Sequence, residues 1–406
     1  MNDSRLLRVA LVRNAVHRHG GVERYVWEFS RDLASRGHEV HLFARRWEEL
    51  PPEVIRRPVG RLGGLSVLKA WSFARGAVRA LNGEGFDVVY NFDRAPVRGV
   101  YRAGEGCHRE WLRVAAAHLP AASRTVRRLD PLHAFHLSVE RRIFSPRVSS
   151  KVIAISQMVR DDILLHYGGR DGTGLQEEDI TVIYNGVDLS EFSPAGSPEQ
   201  KSEARKKIGA DAGDFVVLFI GSGFFRKGLA HLLRAASMLQ NECSGLRVLV
   251  VGRPGGEPAR LARELGVERR VTFLGRGLET ADVYKASDVF VLPSLYEPFG
   301  FACLEALASG LPCILSRRCG ASEILTHGEN GYIVEDPTDA EEIAAKLRLL
   351  LDVSLRRQLG AAARRLAERF PVSANTDRML EVCRGVRPRN ESGPDFTLHS
   401  ETKGDF

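Results

Sequence analysis

The sequence predicts an α/β protein built from two doubly wound parallel sheets, one in each half of the chain. Three observations carry that expectation. Short runs of Val, Ile, Leu and Phe are apolar throughout instead of alternating, as strands buried on both faces are. Each run leads through a glycine-bearing loop into an amphipathic stretch. The chain has 406 residues, which fits two domains better than one at ~150 residues each. In the first half, Arg8 to Val12 reads as a strand, Asn14 to Gly21 as a loop, and Val22 to Ser35 as a helix closed by Gly37. Further strands are expected at 39–43, 87–90, 99–101, 151–155 and 181–184, with Ser156 placed to cap the helix after it. In the second half, strands are expected at 215–220, 247–251, 271–274, 289–292 and 312–315. Helices fall between them at 228–239, 258–265, 280–286 and 300–309. Ser193 to Lys207 is rich in Pro, Ser, Glu and Lys and reads as the boundary between domains 1–192 and 193–370. Residues 338–384 read as helical with an interruption at Pro371, and 387–406 as a disordered polar tail.

Composition narrows the function classes. Hydrophobic residues are 44% and charged residues 27%, so a sizeable core is available. The net charge of +7 suggests an anionic partner: phosphate, nucleic acid or a membrane surface. Six cysteines without a CxxC pair suit neither a disulfide scaffold nor a zinc ribbon, and fit a reducing compartment. No apolar run approaches the ~20 residues of a membrane span, nor the core of a signal peptide. The expectation is a cytoplasmic protein, either soluble or peripheral on a membrane.

Several stretches carry chemistry. Gly221-Ser222-Gly223-Phe224-Phe225-Arg226-Lys227-Gly228 follows a strand and opens a helix. Glycines let a ligand approach the backbone, helix N–H groups face outward, and two cations supply charge, which suits a diphosphate. An ordinary basic surface turn has the same composition. Glu297-Pro298-Phe299-Gly300-Phe301 leads into a helix that carries Glu305. Carboxylates before and within the first turns of a helix suit sugar hydroxyls, and the free N–H groups between them suit phosphate oxygens. Alternatively, Glu297 only complements the helix dipole and Glu305 is solvated. Gly20-Gly21 at the first strand-to-helix turn permits close approach of a ligand, although tight turns without ligands are common. Glu105, between Gly104 and Gly106, and His108 follow a strand end, where open α/β sheets place ligand groups. His108 is expected to titrate near neutral pH, although a lone histidine is more often a surface or satisfied residue than a catalyst. The segment 108–147 has eight arginines against three acids, interleaved with apolar residues. It reads equally as an interfacial element for anionic lipid or as a solvated basic face. No pattern for nucleic-acid binding supports that third partner. There is no Asp-x-Asp triplet, GxSxG or HExxH motif.

Taken in order, these motifs resemble those of the family 4 retaining glycosyltransferases. Glu297 and Glu305 in EPFGFACLEA are similar to the family's EX7E signature, and GSGFFRKG is similar to its phosphate-binding stretch. HGGVERYVWEFSRDLASRGHEVHLF resembles the first βα unit, KVIAIS the last strand of the first domain, and NGVD the interdomain turn. The resemblance spans roughly residues 7–385. Within the family, GVYRAGEGCHREWL and YNFD resemble the enzymes of lipopolysaccharide core assembly, whose usual aspartate is here Glu105. The resemblance implies a GT-B fold: two Rossmann-like domains facing a cleft, with a last helix, 371–386, crossing back to the first domain. It implies a retaining hexosyltransferase that needs neither cofactor nor metal, with UDP-glucose as donor. The acceptor would be a lipid-linked glycan, the inner-core heptose, at the inner face of the cytoplasmic membrane. Arg226 and Lys227 would neutralise the diphosphate beside Gly223. Glu305 would hold the ribose, and Glu297 with the backbone of Phe299, Gly300 and Phe301 the hexose. Gly20 and Gly21 would close over the phosphates, and Glu105 and His108 would face the acceptor. Competing readings are a related transferase for another bacterial glycan, a non-catalytic nucleotide-sugar or membrane-binding module, and a nicotinamide oxidoreductase. The last lacks GxGxxG with an acidic residue ~20 positions on.

Overall fold

The computed structural model describes residues 5–384 apart from His19, 61–62, 170–171, 253–255 and 276–278. The predicted tail, 387–406, lies outside the described residues. Seven parallel strands form the first sheet: β1 (Arg8–Val12), β2 (Glu39–Ala44), β3 (Ile55–Pro58), β4 (Val88–Asn91), β5 (Gly99–Ala103), β6 (Ser149–Ala154) and β7 (Ile180–Val182). Their spatial order is β3-β2-β1-β4-β5-β6-β7. Six more, β8 (Phe215–Ile220), β9 (Leu246–Val251), β10 (Val271–Leu274), β11 (Val289–Leu292), β12 (Cys313–Ser316) and β13 (Gly331–Val334), form the second. Their order is β10-β9-β8-β11-β12-β13. Each sheet therefore reverses direction once, between β1 and β4 and between β8 and β11. The crevice at such a reversal is where open α/β sheets bind ligands.

The strands are as buried as their composition demands. Val216 to Phe219 of β8 and Val289 to Leu292 of β11 are fully inaccessible. Ser156 caps the helix Gln157–Tyr167 by accepting from Val159 N. Sequence reasoning missed β3, β13 and the helix Ser66–Leu81. Gly76 breaks the helical pattern of that last segment for a packing reason: a Cβ there would stand 2.8 Å from Val59 Cγ1.

Ser193 to Lys207 is not a plain linker. Most of it is the helix Pro198–Ile208, capped by Ser197. Its buried Arg205 bonds Asp288 Oδ2 at 2.6 Å, and the same oxygen accepts from Val216 N. This ties the segment to the second sheet. The connection between the sheets is the stretch around Gly186, where Val187 N bonds Phe370 O and Val372 N bonds Val187 O. Two passes of the chain thus run side by side. The helix Val372–Arg384 then lies against Val22–Ser35, where Tyr25 Oη donates to Asn375 and Tyr90 Oη to the Met379 carbonyl.

Candidate active site

The crevice of the second sheet is built by the loops after β8 and β11. Gly221, Gly223 and Gly228 have φ of +148°, +78° and +76°. At Gly228 a Cβ would lie 1.9 Å from the Pro293 carbonyl oxygen, so only glycine lets the two loops meet. That contact brings the short helix Phe224–Lys227 against Glu297. Lys227 Nζ donates to Glu297 Oε2 at 2.6 Å, and Arg226 reaches the same oxygen at 3.3 Å. Burial pushes the Glu297 carboxyl up, but the two cations outweigh it and hold it below its usual range. Guanidinium and ammonium groups carry five and three N–H donors, so both cations keep donors for a further anion.

Gly300, with φ of +92°, is the N-cap of the helix Phe301–Ala308. The first N–H groups of that helix have no acceptor within it. One and a half turns in, Glu305 Oε2 accepts from Tyr284 Oη at 2.7 Å, and Arg24 of the first half stands 3.7 Å from Oε1. Burial raises the Glu305 carboxyl, opposed by Arg24 and Tyr284. The Phe301 ring packs on Tyr25, and its edge lies where a Cβ on Gly21 would make contact. Phe299 is fully buried against Tyr184, and its carbonyl accepts from Ala321 N.

The crevice of the first sheet is a cleft of ≈ 290 Å³. Its floor is the end of β1 and the turn after β4. Arg13 donates to Glu105 Oε1 at 2.9 Å and to Glu23 at 2.7 Å, and Arg94 donates to Glu105 Oε2 at 2.6 Å. Asp93 holds the backbone of Asn14 and Arg94. Burial raises the Glu105 carboxyl, but Arg94 and then Arg13 outweigh it and hold it at about 2. Glu105 is therefore ionised at neutral pH with both oxygens occupied, and is a poor proton acceptor. His108 is buried on His133 and His136. Burial and Arg94 push its ring down to about 2. This overturns the expectation of a neutral-range titration: the ring is dry and has a cation beside it. Its helix starts instead on Glu140, which accepts from His108 N and Arg109 N.

The two crevices meet. A Cβ on Gly106 would lie 2.7 Å from Pro298 Cγ, and Tyr296 Oη accepts from Cys107 N at 3.0 Å. The Glu105 loop thus abuts the Glu297 loop. Family models match both halves: "Glycosyltransferase Family 4" over residues 19–191 and "Glycosyl transferases group 1" over 200–366. A D-inositol 3-phosphate glycosyltransferase of Rhodococcus jostii is 30% identical over 95% of this chain and 90% of its own length. The chain belongs to glycosyltransferase family 4. Two further curated relatives, from Methanocaldococcus jannaschii and Rhodococcus erythropolis, match over only about half their length, 49% and 52%. Among solved structures, WaaG, a glycosyltransferase involved in lipopolysaccharide biosynthesis, superposes with a TM-score of 0.80 at 22% identity, covering 93% of this chain and 100% of that one. Anabaena Alr3699/HepE, solved in complex with UDP-glucose, gives 0.70 at 19% identity, covering 94% and 100%. These likenesses establish the GT-B fold, and the family makes the chain a glycosyltransferase.

In this transferase the residues singled out from sequence fall into three groups. Arg226, Lys227 and Glu297 are in contact. Gly21, Phe301 and Glu305 line one small cavity with Arg24. Glu105 lines the first-sheet cleft, and His108 lies in the histidine cluster beside it. Gly20, with φ of +108°, shapes the turn, and its Cβ would meet His17 and Glu23. Sequence reasoning missed Arg13, Asp93, Arg94, Arg24 and Tyr284. The available signal was position for Arg13, Asp93 and Arg94: they lie just beyond the ends of β1 and β4, at the reversal of the sheet.

Proposed function

We propose that this transferase is a metal-independent, retaining hexosyltransferase that moves glucose from UDP-glucose to a lipid-linked acceptor, with the inner-core heptose of lipopolysaccharide the leading candidate. The observation that carries the reading is the Arg226–Lys227–Glu297 cluster at the β8/β11 crevice, abutting the Glu105 loop of the other sheet. Departure of a nucleoside diphosphate develops negative charge. Two fixed cations and a helix N-terminus stabilise it without reorganisation, which is the work a metal does elsewhere. In this reading Glu305 takes the ribose hydroxyls, and Glu297 with the backbone from Phe299 to Phe301 takes the hexose. Gly20 and Gly21 close over the phosphates.

Neither Glu105 nor Glu297 is suited to take a proton near neutrality: Glu105 is held ionised by two arginines, and Glu297 by Arg226 and Lys227. The leaving phosphate oxygen is then the base. The C1–O bond to the phosphate breaks, the bond from the acceptor oxygen to C1 forms on the same face, and the hydroxyl proton passes to the phosphate. Glu105 keeps Arg13 and Arg94 in place at the acceptor side. No described helix is long and apolar enough to cross a membrane. The helix Ala121–Arg128 and its C-cap expose Val126 and Leu129 (70% and 77% accessible) beside basic residues. That face suits the surface of an anionic bilayer, where each cation contributes ~1 kcal/mol.

The test is incubation of the protein and EDTA with UDP-glucose and heptose-terminated lipopolysaccharide. UDP release and an α-linked product by NMR are expected. Binding of UDP without release on any acceptor would replace the enzyme by a binding module, and release from another nucleotide sugar would change the donor.

A further inference from the structure

Glu305 is attended from both halves of the chain. Its Oε2 accepts from Tyr284 Oη at 2.7 Å, and Arg24 Nη1 stands 3.7 Å from its Oε1. Tyr284 belongs to the second half, and Arg24 to the helix Val22–Ser35 of the first. An ionised carboxylate offers about four lone-pair sites. The tyrosine takes one, and 3.7 Å is too long for a hydrogen bond from Arg24, so acceptor capacity is left for a pair of hydroxyls.

Arg24 is itself fixed on several sides. Its Nε donates to Glu28 Oε1 at 2.7 Å, one turn further along the same helix. Its Nη2 donates at 2.6 Å to Glu191 Oε2, in the stretch that follows Gly186. The guanidinium lies over the Phe192 ring, 4.8 Å from the centroid. One arginine thus faces carboxylates from the first half, the connection and the second half. The cavity lined by Gly21, Arg24, Glu28 and Glu305 has a volume of ≈ 10 Å³, room for about one water and not for a ribose. Arg24 therefore acts on the carboxylate, not on a nucleotide lying between them.

Without the guanidinium, Glu305 would keep a side chain only 13% exposed, with Glu28 and Glu191 as charged neighbours. Burial and those two carboxylates push it toward the neutral form, and Arg24 and Tyr284 oppose them. A neutral carboxyl is a weaker acceptor than a carboxylate.

We propose that Arg24 positions Glu305 for the nucleotide, so that recognition of the ribose hydroxyls in the second half depends on a side chain of the first. The proposal rests on the reading of Glu305 as the ribose site, and adds the residue that makes that site selective.

The experiment measures dissociation constants of UDP and 2′,3′-dideoxy-UDP by calorimetry, on the full chain with EDTA. The unmodified chain should prefer UDP by ~tenfold or more, as hydrogen bonds to a charged group imply. Equal binding of the two there would overturn the reading of Glu305 itself. In Arg24→Met the preference should fall to ~threefold or less, with dideoxy-UDP bound within ~twofold of the unmodified chain. A role confined to folding would weaken both nucleotides together, and that result overturns the proposal. So does a preference in Arg24→Met that matches the unmodified chain. If circular dichroism shows Arg24→Met unfolded, Glu191→Gln carries the test. It sits at an exposed position and releases one anchor of Arg24. It should lower the preference ~threefold and leave dideoxy-UDP binding alone. An unchanged preference in that variant overturns the proposal.

Discussion

Replacing Lys227 with methionine separates what that ammonium does for the fold from what it does for a ligand. Lys227 and Glu297 are 2.6 Å apart, with side chains 12% and 10% exposed. Removing the whole partner of a buried charge costs ~3–5 kcal/mol. Arg226 remains at 3.3 Å, so roughly half of that, ~2 kcal/mol, is expected in urea unfolding. Adding Glu297→Gln removes the stranded charge and should recover most of the loss. UDP affinity should behave differently. A hydrogen bond from an ammonium to a phosphate contributes ~1.5–3 kcal/mol, or ~10–150-fold in Kd. Calorimetry should show that loss in Lys227→Met and again in the double variant, because neutralising Glu297 does not replace the donor. If the double variant regains full UDP affinity, Lys227 serves only to neutralise Glu297. If the single variant binds UDP within twofold of the unmodified chain, the diphosphate lies elsewhere.

Other outcomes follow from the same contacts. Glu105 is held at about 2 in the folded chain against 4.5 for a free carboxyl. A folded value below the unfolded one means that the unfolded chain binds more protons in between. The stability that Glu105 confers is then complete above ~pH 5 and lost as pH falls toward 2, and Glu105→Gln should flatten acid unfolding curves across that window. Gly228→Ala forces a Cβ onto the Pro293 carbonyl at a φ of +76°, so it should cost stability and weaken UDP binding tenfold or more. Gly223→Ala has a similar φ with nothing within 4 Å, and should cost ~1 kcal/mol or so. Asp288→Ala strands the buried Arg205 and the Val216 N–H and should lose ~3–5 kcal/mol by thermal unfolding, far from either crevice.

Strands such as β1, β8 and β11 were legible in the sequence because each is a continuous apolar run with a loop at its end, whereas β3 is largely exposed and gave no such run. For the same reason Arg226, Lys227, Glu297 and Glu305 were legible: they lie in two short stretches, directly after β8 and β11. The Glu105 cluster was not, because Arg13 and Arg94 reach it across 92 and 11 residues of chain. Arg24 reaches Glu305 only because the two halves close on each other. The helix Pro198–Ile208 was hidden by its charge, since six of its eleven residues are basic or acidic. Its burial depends on a tertiary partner, Asp288, that no local pattern reveals. His108 was misread for a related reason: the arginine and histidines that keep it neutral lie on other elements.

The central claim is that a uridine diphosphate sits on the Arg226–Lys227 loop with its ribose at Glu305, in the absence of metal. The most direct measurement is a thermal-shift panel of UDP, GDP, ADP and NAD with EDTA present. A ligand at ~100 times its Kd adds ~2.7 kcal/mol of stability, a shift that is easily read. The account predicts stabilisation by UDP above the others, abolished in Lys227→Met/Glu297→Gln. A shift with GDP or ADP instead would contradict the donor, and a response to NAD alone or to no nucleotide would contradict the site.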